Sequence, residues 1–146
     1  MLMTDSASAC ELCTQDGGEV VYRNASLRVV IVDDADYPGF CRVIWNAHCK
    51  EMTDLPAAQR AELMAAVFAV EYAVRQVMQP LKINLASLGN MTPHLHWHVI
   101  PRYAEDKHFP SPIWAATQRA GHVHTARLPD NWRARLSDAI SRSFGA

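Results

Sequence analysis

The alternation of apolar and polar positions sorts this 146-residue chain into strands, one long helix and a less regular tail. After Gly17 and Gly18 come EVVYRN and SLRVVIVDD, two β-branched runs split by a short polar turn at Asn24 and Ala25, which predicts a hairpin. Asp33, Asp34, Asp36, Pro38 and Gly39 form the next turn. CRVIWNA then returns as a third strand, with Val43 and Trp45 on one face and Ile44 on the other. Between Pro56 and Pro80 the period changes. Leu63, Val67, Val70, Val74 and Val77 recur at helical spacing, and Pro56 suits a first helical turn because its missing N–H costs nothing there. KINLASLGN reads as a strand and turn, and HLHWHVIPR as a strand ending at Pro101. Beyond Tyr103, Pro110, Pro112 and Gly121 interrupt the pattern. It recovers in Trp132, Leu136, Ile140 and Phe144, behind Asp130 as N-cap and before Gly145 as a stop.

These elements make an α+β fold: an antiparallel meander sheet of about five strands covered by one long helix and a C-terminal helix. The length suits one core, and no repeat or compositional break divides it, so residues 1–146 are read as a single domain.

Composition narrows the function classes. At 49% hydrophobic and 20% charged residues the chain reads as globular, not disordered or coiled-coil. A formal net charge of −1 supplies no positive field for a polynucleotide or an anionic lipid surface. The longest apolar run, Leu63 to Val70, falls far short of the roughly 20 residues of a bilayer span. MLMTDSASACEL has no basic residue ahead of a hydrophobic stretch, so no export signal is visible and a cytoplasmic, reducing setting is expected. There Cys10, Cys13, Cys41 and Cys49 read as thiols or metal ligands, not as disulfides. Neither GxGxxG nor a Walker-type phosphate loop is present.

The chemistry concentrates in HLHWHVI. On a strand, His94, His96 and His98 project from one face while Leu95, Trp97 and Val99 line the other. Imidazole can ligate a metal, move a proton near neutral pH, or attack through an unprotonated ring nitrogen. Cys10 and Cys13 form a CxxC whose sulfurs can reach one ion from a tight turn; zinc needs two further ligands, and His48 and His94 are the obvious nitrogen donors. A closed Cys2His2 site would be structural, and in free peptides such zinc sites contribute on the order of 10 kcal/mol of folding free energy. Cys41 and Cys49 read as small core residues. His122 and His124 form a second HxH with no ligand partner in reach by sequence and read as surface residues.

HLHWHVIPR resembles the signature of the histidine triad (HIT) superfamily of nucleotidyl hydrolases and transferases, His-φ-His-φ-His-φ-φ with φ apolar. CELC, the IVDD turn, the strand to His48 and MTDL are similar to the zinc-containing bacterial branch, so the resemblance covers roughly Cys10 to Arg102 and leaves 103–146 as a variable extension. It implies the fold above and a homodimer with a sheet continuous across the interface. It implies structural zinc on Cys10, Cys13, His48 and His94, and a nucleotide as small-molecule substrate. His96 would be the nucleophile on the α-phosphorus, forming a nucleotidyl-histidine that water releases, with His98 at the transferred phosphoryl or leaving oxygen. The linkage cleaved would be that of a dinucleoside polyphosphate, a nucleoside phosphoramidate or an adenylate.

By the same resemblance Asp33, with Asp34 competing, accepts from ribose hydroxyls; Asn84 holds a phosphate oxygen; Gly89 and Asn90 shape the phosphate loop. Arg102 is read as a polyphosphate contact, and Lys107, His108 and Phe109 as a segment able to fold over the site. The chain departs from the pattern at Phe40, Asn90 and Met91, where many family members carry a histidine, a Gln, and a Ser or Thr. Two other readings stay open: a nucleotide-binding sensor or partner protein with little turnover, and a cupin-like enzyme holding an open metal on His94, His96 and His98. Against the latter, no Glu follows the histidines at short spacing.

Overall fold

The computed structural model describes residues 7–121 and 123–145. A short helix α1 (Glu11–Thr14) precedes strands β1 (Glu19–Arg23) and β2 (Leu27–Ile31). Asn24 Oδ1 accepts the backbone N–H groups of Ser26 and Leu27, so the polar break between the two β-branched runs is the hairpin turn. Strand β3 (Cys41–Trp45) follows, then the 22-residue helix α2 (Ala57–Met78) and strands β4 (Lys82–Ala86) and β5 (His96–Arg102). Helices α3 (Val123–Ala126) and α4 (Trp132–Ser143) complete the order.

The five strands form one antiparallel sheet in the order β1-β2-β3-β5-β4. It departs from a simple meander at one place: β5 inserts between β3 and β4. Helix α2, roughly 33 Å long, carries the chain across the sheet and sets β4 at the far edge, leaving a slot that β5 fills. The histidine-bearing strand is therefore paired on both sides, to β3 and to β4.

Strand periodicity divides the sheet faces. Leu27, Val29, Ile31, Cys41, Val43, Trp45 and Val99 pack in one buried cluster with Leu63, Val67, Val70 and Val74 of α2. Val77, the last position of the predicted stripe, is only partly buried. Leu136 and Ile140 of α4 are fully buried in that cluster, so the tail completes the core. Burying each such side chain contributes about 1.5–3 kcal/mol before entropy is subtracted. On the opposite face Val30 and Ile44 pack with Cys10 and Leu12, which seats the N-terminal segment beside the histidines.

Helix ends differ in detail from the sequence reading. Pro56 is the N-cap of α2 and Gln79, at φ 50°, its left-handed C-cap ahead of Pro80. Asn131, not Asp130, precedes α4, while β5 runs one residue beyond Pro101. No helix among the described residues is long and apolar enough to cross a membrane.

Candidate active site and metal centre

Cys10 is the N-cap of α1 and Cys13 lies within it, His48 lies just past β3, and His94 lies two residues before β5. One ligand atom from each of the four falls within 4.8 Å of all the others. Cys10 Sγ is 3.4 Å and Cys13 Sγ 3.3 Å from His94 Nδ1, and Cys13 Sγ is 3.2 Å from His48 Nδ1. Ligand atoms around a tetrahedral zinc stand roughly 3.3–3.8 Å apart, so this donor set fits the ion. His94 Nε2 donates to the Trp45 carbonyl at 2.5 Å, which fixes the tautomer and turns the lone pair of Nδ1 to the thiols. Cys41 is fully buried and Cys49 half-buried against the core, both away from this group.

His96 is buried, and its Nδ1 lies 2.5 Å from the His94 carbonyl. A carbonyl only accepts, so Nδ1 carries the proton and Nε2 the lone pair. Burial lowers the pKa of the ring, against the pull of that hydrogen bond, and the nearby Arg42 lowers it further. Ser87 Oγ donates to the His96 carbonyl at 2.7 Å and ties the loop after β4 to the histidine strand. A cavity of about 340 Å³ opens among His96, Ser87, Gly89 and Lys50.

The His98 ring sits 4.9 Å from that of His96, edge-on. Its Nδ1 is buried with no hydrogen-bond partner among the described residues. Burial, then His96 and Arg42, push its pKa down to about 3, so the ring is neutral at physiological pH. Phe40 packs edge-on at 5.6 Å and Trp114 at 5.1 Å. Trp114, 51% exposed, comes from the segment after β5. Sequence reading passed over Trp114, Ser87 and Arg42. Arg42 was legible in principle, as a charged residue at an alternate position of an apolar strand.

The other predicted residues fall in different places. Asp33 is exposed at the end of β2, and Asp34 Oδ1 caps its own turn by accepting the Asp36 N–H. Asn84 pairs with Ile100 on β5 and is half-buried. Gly89 has φ 78°, a conformation that a side chain would strain, and Asn90 is exposed beside it.

Arg102 is a correction. Its side chain is 2% exposed; Nε and Nη2 donate to Asp106, Nη1 to Asn84 Oδ1 at 2.7 Å, and Nη2 also to the Ser111 carbonyl. A guanidinium committed to these partners inside the fold is not presented to a polyphosphate. The neighbouring segment follows it: Lys107 reaches Asp36, His108 Nδ1 meets the Tyr37 hydroxyl at 2.6 Å, and Phe109 lies under the guanidinium. The element that reaches the triad is instead Trp114. His124, read as a surface residue, is buried, donates to the Asp36 carbonyl and stacks on Tyr103; His122 lies outside the described residues. A larger cavity of about 460 Å³, among Tyr103, His124 and Arg127, contains no triad residue.

A sheet that carries a tautomer-fixed histidine beside a Cys2His2 group defines a class of protein, and comparison with known sequences agrees. The HIT domain model matches residues 14–105, and the chain belongs to that family. Among curated proteins it is similar to the AP-4-A phosphorylase of Mycobacterium tuberculosis, in strains CDC 1551 and H37Rv, at 28% identity over 102 residues. The match takes 66% of this chain and 52% of that protein, so the chain spans about half the length of the curated relatives it matches. A histidine triad protein from Bradyrhizobium japonicum is 27% identical, covering 88% of this chain and 91% of that one at a TM-score of 0.69. One from Marinobacter aquaeolei VT8 is 23% identical, covering 92% and 96% at 0.72. A zinc-bound family member from Mycobacterium smegmatis is 20% identical, covering 94% and 99% at 0.62. The last two likenesses show the fold alone.

Proposed function

We propose that this chain is a nucleotidyl hydrolase or transferase in which His96 is the nucleophile. Nε2 attacks the α-phosphorus of a nucleotide, an N–P bond forms as the P–O or P–N bond to the leaving group breaks, and the leaving group departs with the electron pair and takes up a proton. Water then attacks the same phosphorus, releasing the mononucleotide and restoring the imidazole. The observation that carries this reading is the hydrogen bond from His96 Nδ1 to the His94 carbonyl, which leaves a lone pair on Nε2 in a desolvated ring. His98, held neutral beside it, meets the phosphoryl or leaving oxygen as charge develops there.

Asp33 is assigned to the ribose hydroxyls, and Asn84, Gly89 and Asn90 to the phosphate side. Zinc held by Cys10, Cys13, His48 and His94 would tie the N-terminal segment to the sheet and hold the His94 backbone in place. The substrate class is a dinucleoside polyphosphate, supported by the name of the mycobacterial relatives, or a nucleoside phosphoramidate or adenylate. Residues 1–146 act as one domain, in a homodimer, in the reducing setting of the cytoplasm, where free thiols persist.

The test is turnover of diadenosine tetraphosphate and of adenosine 5′-phosphoramidate, with products separated by chromatography. AMP is expected from both. ADP from the tetraphosphate in the presence of orthophosphate would make phosphate the acceptor in place of water. His96→Ala is expected to lower turnover about a thousandfold or more while AMP binding survives. Wild-type protein that binds AMP and turns over neither substrate would overturn the proposal in favour of a nucleotide sensor.

A further inference from the structure

Three buried or half-buried arginines stand on the histidine face of the sheet, and two are satisfied within the fold. Arg28 donates to Asp16, Asn46, Leu12 and Gln15, and Arg102 to Asp106, Asn84 and Ser111. Arg42 is the exception. It lies on β3 directly opposite His98 across the β3–β5 ladder, so the two side chains share a face. Its Nη1 donates to the Gly17 carbonyl at 3.0 Å, and its Nε is buried with no hydrogen-bond partner among the described residues. No carboxylate among the described residues reaches it within ion-pair distance, and Glu11 acts on it only through its field. The ring of Phe40 supports the guanidinium at 5.7 Å and also meets the ring of His98 edge-on.

A partly desolvated cation with one neutral hydrogen bond is costly to keep; such charges are ordinarily paired or hydrogen-bonded throughout. The neighbouring rings of His96 and His98 carry no negative charge and cannot compensate it. The group that would complement it is an anion with several acceptor oxygens, on the face that carries the triad. A phosphate group satisfies both requirements, because a guanidinium fork matches its oxygens.

We propose that Arg42 is a substrate-binding residue whose guanidinium holds a phosphate oxygen of the nucleotide that His96 attacks. The inference rests on the nucleotidyl-transfer reading and deepens it: recognition is directed to the charge of the phosphate, so a nucleotide is preferred to its nucleoside by this contact. Arg42 takes no part in making or breaking bonds.

The test compares AMP and adenosine binding by calorimetry for the wild type, Arg42→Gln and Arg42→Lys, with melting curves for each. Wild type is expected to bind AMP about tenfold or more tightly than adenosine, Arg42→Gln to lose that preference without weakening adenosine, and Arg42→Lys to recover part of it. Arg42→Gln that keeps the wild-type preference overturns the inference, as does a wild type with no preference. Should Arg42→Gln fail to fold after losing the Gly17 contact, Arg42→Lys decides: unchanged AMP affinity overturns the inference, and a several-fold loss confined to AMP supports it. The two proposals fail separately. A wild type without turnover whose AMP preference still depends on Arg42 sinks the reaction and keeps the anion contact; normal turnover with an AMP preference indifferent to Arg42 does the reverse.

Discussion

His94 serves His96 through its backbone and the cysteines through its ring: its carbonyl accepts the Nδ1–H of His96 at 2.5 Å, while its own Nδ1 faces Cys10 and Cys13. The tautomer of the proposed nucleophile is thus set by a residue of the candidate metal group. Under the proposed reaction, stability and catalysis would be coupled through one peptide unit, with the metal standing outside the reaction.

That coupling gives the first expectation. Purified protein should hold one zinc per chain by mass spectrometry, and Cys13→Ser should lose it. Loss is expected to lower the melting temperature by roughly 10 °C or more, and to reduce turnover in the fraction that stays folded. A folded, metal-free Cys13→Ser protein with full activity would uncouple the two sites.

The buried pair Arg102–Asp106 gives the second. Burial alone would push the Asp106 carboxyl up, but the Arg102 guanidinium and the N–H groups of Tyr103, His108 and Phe109 outweigh it and hold the carboxyl well below its usual range. A carboxyl depressed on folding contributes stability that is complete above its unfolded value, about 4, and is lost as pH falls below it. Asp106→Asn should therefore cost about 3–5 kcal/mol at neutral pH, with the difference from wild type shrinking as the medium is acidified. Urea midpoints measured at neutral and acidic pH check the sign; a gap that widens in acid contradicts it.

Trp114 gives the third. Its half-exposed ring lies 5.1 Å from His98, and if His98 meets the leaving oxygen as proposed, the ring would stack on the leaving group. Base stacking is worth about 1–3 kcal/mol, so Trp114→Ala should raise KM for diadenosine tetraphosphate about five- to a hundredfold and leave that for adenosine 5′-phosphoramidate nearly unchanged. Fluorescence quenched by nucleotide in wild type should be absent in the variant. Equal effects on the two substrates would assign the ring a structural role only.

The fourth concerns the edge of the sheet. β4 is the outer strand, and Leu81, Leu85 and Leu88 on or beside it are exposed together with Phe68 and Tyr72 of α2. An edge with such apolar flanks is suited to pairing with a second copy. Sedimentation should give twice the 16.3 kDa chain mass, and Leu85→Asp should shift the protein to monomer. A wild type that sediments at the single-chain mass at high concentration rules out the homodimer.

The sequence by itself determined the elements and the identity of the histidine-bearing strand. The helical stripe from Leu63 to Val74, the β-branched runs and the His-φ-His-φ-His alternation are local periodicities, and a local period sets which side chains share a face. The metal group was legible too, because ligand chemistry restricts the donors to a few residue types. Tertiary structure alone decided what depends on distant segments. It placed β5 between β3 and β4, set Arg42 against His98, brought Trp114 from beyond the triad onto the same ring, and buried Arg102 with Asp106. An arginine has the same letter whether it pairs with a carboxylate inside the fold or waits beside an anion site; only the packing around it tells the two apart, because burial and partners, not residue type, fix where its charge is spent.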